Sequence, residues 1–571
     1  MNFTDKTSFI WSVADLLRGD FKQSEYGKVI LPFTVLRRFD CVLAPSKEKI
    51  LEMNKTLTVS NKKPVFKRYT GHDYYNVSRF DFQKLLDDSN AIETNLRDYI
   101  SGFSDDVKEI LDNFDLGTVI ERLKKASLLY LIVQKFSEID LATDTVDNLE
   151  MGYMFEELIR RFSEQSNETA GEHFTPREVI ELMVELLLEP DMSDEMTKDG
   201  IVKTIYDPAC GTGGMLSAAQ NWMRAHNTNA TIIPFGQELN PETYATCKSD
   251  MILKGNDNSK IVLGNSFSED GFQGQTFDYQ LSNPPFGVEW KKVEYFVKDE
   301  AARLGFDGRF GAGTPRISDG SLLFLQHMIS KMTPADKGGS RIAIVFNGSP
   351  LFTGDAGSGE SNIRKWIIES DMLEAVVALP DQLFYNTGIS TYIWILSNRK
   401  SVRRKGKVRL VNGVSYFEKM RKSLGNKRNL ISKQNRRDIV SLYSMYEPDE
   451  NYIDFDNNDF GYRKITVERP LRDENGEIVT DKKGKPKADT ALRDTEAVPL
   501  KENIRTYFKR EVLPHVPDAW IDEAKTKIGY EIPFTRHFYR FTSLRSSKEI
   551  MDEIKSLEAK IVLGFAEVLE E

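Results

Sequence analysis

Thr276-Phe277-Asp278-Tyr279-Gln280-Leu281-Ser282-Asn283-Pro284-Pro285-Phe286-Gly287 is a strand-like run that stops at two consecutive prolines. Neither proline has an N–H for a sheet ladder, and each restricts the residue before it, so the chain must turn there. The turn presents an amide, a carbonyl without its usual partner and an aromatic ring at a strand's carboxyl end. In open α/β sheets that is where ligands bind.

Three earlier strand-like runs carry matching ends. Residues 201–206 lead into Asp207-Pro208-Ala209-Cys210-Gly211-Thr212-Gly213-Gly214 and then a helix-compatible segment. Small residues let backbone approach a ligand, and the helix start offers free N–H groups. The loop has neither the Gly-x-x-x-x-Gly-Lys-Ser/Thr of a triphosphate cradle nor the Gly-x-Gly-x-x-Gly of dinucleotide binders. Asp207 would repel phosphate and receive a cationic amino group. Residues 231–236 end in Gln237-Glu238, and a carboxylate at the tip of a second strand accepts ribose hydroxyls. The implied ligand is a nucleoside without phosphates. Residues 260–263 end in Gly264-Asn265-Ser266.

Upstream, Met151, Met154, Phe155, Leu158, Ile159 and Phe162 recur at helical spacing. Then Gly171-Glu172-His173-Phe174-Thr175-Pro176-Arg177-Glu178 reads as a helix start, with Thr175 as N-cap, Pro176 as first helical residue and Glu178 closing a capping box. Residues 1–150 read as a helical domain for packing or docking. One stripe is Ile10, Val13 and Leu17, closed by Gly19; a second helix carries Leu123, Leu128, Leu131, Ile132 and Phe136.

Downstream, residues 303–320 mix Arg303, Arg309 and Arg316 with Phe306, Phe310 and five glycines. This is a loop, either one that closes over DNA or a passive surface segment. Residues 399–437 hold 15 Lys/Arg against one acid, Glu418, and are read as a phosphate contact. From 446 the chain changes to an acidic linker, a hairpin around Asn475-Gly476 and Gly484, and a terminal helix carrying Ile550, Ile554, Leu557, Ile561, Phe565 and Val568 on one face. The expected domains are 1–150, 151–445 and 446–571.

The formal charge of -10 over 571 residues excludes a uniformly basic nucleic-acid binder. No apolar run is long enough to span a bilayer and no signal peptide is visible, so a cytoplasmic, membrane-free protein is expected. Three scattered cysteines and six histidines show no disulfide or metal-ligand spacing. No metal is expected.

With these strand ends in place, the sequence resembles the Rossmann-like S-adenosyl-L-methionine-dependent DNA methyltransferases that modify an exocyclic amine. Residues 207–214 resemble their cofactor loop, Glu238 their ribose-binding acid and Asn283-Pro284-Pro285-Phe286 their catalytic motif. His173-Phe174-Thr175-Pro176 resembles the segment that packs on the cofactor's methionine end, in the order of the gamma arrangement. The whole chain is similar to the modification subunit of a type I restriction-modification system. The matching regions include residues 322–328, 341–352 and Leu383-Phe384-Tyr385-Asn386-Thr387-Gly388. Asn265 departs from the Asp that related enzymes often carry.

The resemblance implies an α/β Rossmann-like fold with an N-terminal helical domain and a C-terminal extension ending in a helix. It implies that Asn283, Pro284, Pro285 and Phe286 act on adenine N6. Cofactor-binding residues would be His173, Phe174, Thr175, Asp207, Pro208, Ala209, Gly211, Thr212, Gly213, Gly214, Glu238, Asn265 and Ser266. Implied partners are double-stranded DNA, a specificity subunit shared by two modification subunits, and a restriction/translocase subunit. Competing readings are a protein glutamine-N5 methyltransferase, whose family uses a similar motif with Tyr, and a catalytically silent DNA- or partner-binding scaffold. Phe286, the basic segment and the length favour DNA.

Overall fold

The computed structural model describes residues 3–59, 61–165, 175–192, 196–255, 260–385, 387–424, 426–538 and 546–570. The strands are β1 (Val202–Asp207), β2 (Thr231–Glu238), β3 (Lys260–Leu263), β4 (Tyr279–Ser282), β5 (Arg341–Asn347), β6 (Leu373–Ala378), β7 (Thr391–Ser397) and β8 (Lys407–Asn412). A hairpin, β9 (Glu418–Leu424) and β10 (Lys427–Leu430), precedes β11 (Tyr452–Asp456). One nine-stranded sheet has the order β11-β8-β6-β7-β5-β4-β1-β2-β3. Strands β1 to β5 are parallel to their neighbours in that set, β7 runs antiparallel between β5 and β6, and β11 is an antiparallel edge.

Side chains alternate across this sheet. Ile205, Leu281, Ala343 and Val345 join one core with the helices Arg177–Leu188 and Gly214–His226. Tyr206, next to Ile205, faces the other way into a cluster with Phe235, Phe272 and Phe277, where its hydroxyl meets His327 of the helix Ser321–Ser330. Helices on both faces make the sheet doubly wound, the Rossmann-like arrangement. Strand order reverses between β1 and β4, so their carboxyl ends part at a crevice.

Residues 3–165 are helical, and Met151, Met154, Phe155, Leu158, Ile159 and Phe162 lie in the core of that bundle. The expected second stripe is two helices, Leu116–Lys125 and Leu129–Ser137. Ser127 takes a left-handed φ of 59° between them and leaves Leu131 exposed. The expected acidic linker is instead β11: Asp454 pairs at 2.7 Å with the buried Arg409 of β8, so an acid that reads as solvated completes a buried guanidinium.

After β11, β12 (Gly461–Glu468), β13 (Asp494–Pro499) and β14 (Trp520–Tyr530) form an antiparallel sheet ordered β13-β12-β14. Buried Arg364 holds it by donating to the Tyr530 carbonyl at 2.6 Å. The hairpin read around Gly476 and Gly484 is present as bridges Arg472↔Ile478 and Thr480↔Pro486. A second unit begins at Pro533; its helix Ser547–Glu570 exposes Ile550, Ile554, Leu557 and Ile561. Among the described residues no helix is long and apolar enough to cross a membrane.

Candidate active site

The two strand ends at the crevice are tied together. Asp207 closes β1 and Ser282 closes β4; the Ser282 hydroxyl donates to Asp207 Oδ1 at 2.8 Å, and the Ala209 N–H donates to the same oxygen at 3.0 Å. Burial raises the Asp207 carboxyl to about 7, against the pull of those two hydrogen bonds. Glu238, the last residue of β2, accepts from Gly211 N at 2.9 Å and Asn240 N at 2.8 Å. A carboxylate oxygen can accept more than one hydrogen bond.

The loop between β1 and its helix needs its glycines. Gly213 has a φ of 82°, and a Cβ there would sit 2.7 Å from Cys247 Sγ. Ser266 Oγ ties the end of β3 to the loop by donating to the Pro208 carbonyl at 2.6 Å. Asn265 Oδ1 accepts from Phe267 N at 2.9 Å.

Asn283 follows β4 directly. Its Nδ2 donates to Thr175 Oγ1 at 2.8 Å, while its Oδ1 is buried without a hydrogen-bond partner among the described residues. A buried acceptor in that state costs about 1–3 kcal/mol unless a ligand donates to it. This corrects the reading of the helix start: the N-cap is Pro176, with no side-chain cap, and Arg177 opens the helix. Thr175 is turned to Asn283, and Glu178 pairs with buried Lys427. The capping-box letters are engaged in tertiary contacts. Phe286 meets Phe384 edge-on, with centroids 6.0 Å apart.

A cavity of about 840 Å³ joins these groups. Thr175, Asp207, Pro208, Ala209, Gly211, Thr212, Gly214, Glu238, Asn265, Ser266, Asn283 and Pro285 line it, whereas Gly213, Pro284 and Phe286 adjoin it in the chain. His173 and Phe174 lie outside the described residues. The sequence reading missed part of the wall: Ser24, Gly27, Lys28 and Leu31 from the N-terminal region, with Ile159 and Phe162. A Cβ on Gly27 would come within 3.2 Å of the Phe162 ring, and Lys28 pairs with Glu242 at 3.3 Å. A glycine in the first turn of the helix Tyr26–Leu43 was the available signal.

The arginines read as candidate DNA contacts divide. Arg309 is a buttress: it donates to the Ser266 and Phe267 carbonyls at 2.7 Å each and pairs with Glu300 at 2.6 Å. It also donates to His327 Nδ1, so that ring's proton is on Nε2 toward the Tyr206 hydroxyl. Burial, then Arg309, pushes His327 down to about 3 and keeps it neutral. Within 399–437, Arg399, Lys400, Arg404, Arg409, Lys427 and Arg436 pair with Asp191, Asp371, Glu374, Asp454, Glu178 and Glu181. Six of the fifteen cations in this run are therefore held by carboxylates of the chain itself. Exposed Lys419, Arg421, Lys422 and Arg428 remain on the β9–β10 hairpin.

The family model for N-6 DNA Methylase matches residues 147–460, and that for the HsdM N-terminal domain matches residues 6–136. A type I restriction enzyme MjaIX methylase subunit of Methanocaldococcus jannaschii is 27% identical over 504 residues, covering 82% of each chain. The HindI methylase subunit of Haemophilus influenzae is 31% identical over 265 residues, covering 46% of this chain and 54% of that one. In fold, a type I restriction-modification system methyltransferase subunit from Streptococcus thermophilus matches with a TM-score of 0.63 at 22% identity, covering 81% of this chain and 97% of that chain. With the family model spanning more than half of its length, from just before the helix Asn148–Gln165 to the end of β11 and the turn after it, the chain belongs to the N-6 DNA Methylase family.

Proposed function

We propose that the chain methylates N6 of an adenine flipped out of double-stranded DNA, using S-adenosyl-L-methionine, as the modification subunit of a type I restriction-modification system. The observation that carries the reading is the buried Asn283 Oδ1, without a hydrogen-bond partner among the described residues, held by Thr175 in the cavity that Asp207 and Glu238 also line.

The groups present fit the cofactor: a buried carboxylate for an ammonium, a strand-tip carboxylate of the kind that accepts hydroxyls, and a backbone loop that Gly211 and Gly213 let approach closely. In this reading Asp207 receives the amino group, Glu238 the ribose, and Asn265 and Ser266 the base side, with residues 208–214, Thr175, His173 and Phe174 completing the pocket. When bound, S-adenosyl-L-methionine supplies an electrophilic methyl on a sulfonium.

Adenine N6 is a weak nucleophile because its lone pair is delocalised into the ring. Asn283 Oδ1 and the Pro284 carbonyl accept its two hydrogens and favour a tetrahedral nitrogen with a localised pair. Pro285 rigidifies the turn, and Phe286 stacks on the flipped base. The protein's contribution is orientation and hydrogen bonding, and no covalent intermediate is needed.

Sequence choice is assigned to a separate specificity subunit, with two modification subunits per specificity subunit and a restriction/translocase subunit in the full complex. The terminal helix's apolar face is assigned to that docking. The domain division 1–150, 151–445 and 446–571, the gamma arrangement and a cytoplasmic location belong to the same proposal.

The test uses tritiated S-adenosyl-L-methionine and DNA, with and without the specificity protein. Labelled N6-methyladenine formed only with the partner is expected; labelled protein, or no label in any combination, overturns the reading. Asn283→Ala is expected to abolish transfer while cofactor binding persists.

A further inference from the structure

We propose that the β9–β10 hairpin holds the phosphate backbone of duplex DNA beside the mouth of the catalytic cavity, through Lys419, Arg421, Lys422 and Arg428. This rests on the DNA-methyltransferase reading above and adds to it the element that grips the duplex. Of the fifteen Lys/Arg in residues 399–437, six pair with carboxylates brought from far in sequence, and of the other nine, Lys419, Arg421, Lys422 and Arg428 cluster on this hairpin. Among the described residues these four have no ion pair, although all are exposed and lie within ten residues of one another.

The hairpin is anchored at the site. Asn426 N donates to the Tyr385 carbonyl at 2.8 Å, and Arg428 N and Asn429 N donate to the Gln382 carbonyl at 2.9 and 3.2 Å. Gln382 has a left-handed φ of 53°, a strained setting for a non-glycine residue that aims one carbonyl at both N–H groups. Asn429 Nδ2 adds a bond to the Asp381 carbonyl at 3.0 Å. Buried Lys427 fixes the base of β10 on Glu178, at the start of the helix that follows Thr175.

The anchor residues reach the catalytic motif directly. Tyr385 lines the cavity with Asn283 and Pro285, and Phe384 packs on Phe286. A base delivered to Phe286 therefore brings its flanking phosphates to this hairpin. The acids at hand are Glu418, exposed at the start of β9, and Asp381, engaged with Asn429. They leave the ribbon net cationic in a chain of formal charge -10. An acidic surface of another protein is the competing occupant. Proximity to the base-handling residues favours DNA.

The experiment measures binding of the full chain, with S-adenosyl-L-methionine, to a fluorescent random-sequence duplex of about 30 base pairs across a potassium chloride series. Each phosphate neutralised contributes about 0.9 to the slope of log affinity against log salt. The Lys419→Gln, Arg421→Gln, Lys422→Gln, Arg428→Gln variant is expected to lower that slope by about 2–4 and affinity at least tenfold, with cofactor affinity unchanged. A charge-matched control replaces exposed Lys482, Lys483, Lys485 and Lys487 with Gln and is expected to keep the wild-type slope. Equal losses in both variants, or none in the hairpin variant while the wild type methylates DNA, overturn the hairpin assignment alone. Wild-type protein that binds polyglutamate but no duplex overturns the DNA reading as well.

Discussion

Asn283 gives its Nδ2 to Thr175 Oγ1, which leaves Oδ1 toward the cavity. Thr175→Val removes that acceptor and lets the amide turn. Single-turnover methylation should fall roughly 10- to 100-fold, equivalent to about 1–3 kcal/mol for an unpaired buried donor, while Thr175→Ser restores it. Loss of cofactor affinity without loss of the chemical rate would place Thr175 in cofactor binding alone.

Asp207 gives a pH signature. Its carboxyl, raised to about 7 by burial, is largely protonated below that pH and cannot attract an ammonium. Cofactor affinity should therefore fall as pH drops from 8 to 6, and Asp207→Asn should flatten the profile; calorimetry across that range checks both. In the free protein the sign is opposite, because a raised carboxyl favours folding below its unfolded value near 3.8 and that contribution is lost as pH rises through about 7. The cofactor's thermal shift should be larger at pH 8 than at pH 6.

Among the elements, the four strand ends were legible because Gly, Pro and polar residues interrupt β-branched runs. Their limits moved slightly: Asp207 and Glu238 are the last residues of β1 and β2, which stiffens both carboxylates. The helix start after Thr175 was read correctly as a helix and wrongly as a cap. Local letters favour a capping box, but Asn283 and Lys427, both far away in sequence, are the stronger partners. Six cations of the basic run were not separable from the rest for the same reason, since no local rule shows that Asp191, Glu374 or Asp454 will arrive beside them. Lys427→Met should leave Glu178 without its buried partner and lower stability by about 3 kcal/mol, read as a shift in the urea midpoint.

At the scale of the whole molecule, the helical N-terminal region was legible from periodicity, and the α/β class from the strand ends and the resemblance they carry. The shared cavity wall was not, because no catalytic residue type marks Ser24, Gly27 or Leu31. Gly27→Val would press on Phe162 and narrow the cavity; calorimetry should show cofactor affinity lowered about tenfold, with the catalytic sheet intact by circular dichroism. The Lys28–Glu242 pair is half exposed on both sides, so its loss should change stability by under about 1 kcal/mol.

That wall has a kinetic consequence. A pocket bounded by strand ends alone lets its occupant leave as fast as its contacts break. Here Gly27 and Leu31 line the same cavity as Asp207 and Glu238, so departure should also wait on the packing of Phe162 and on Lys28 releasing Glu242. The helical region should therefore set how fast an occupant leaves as well as how tightly it is held, although it lies far in sequence from Asn283.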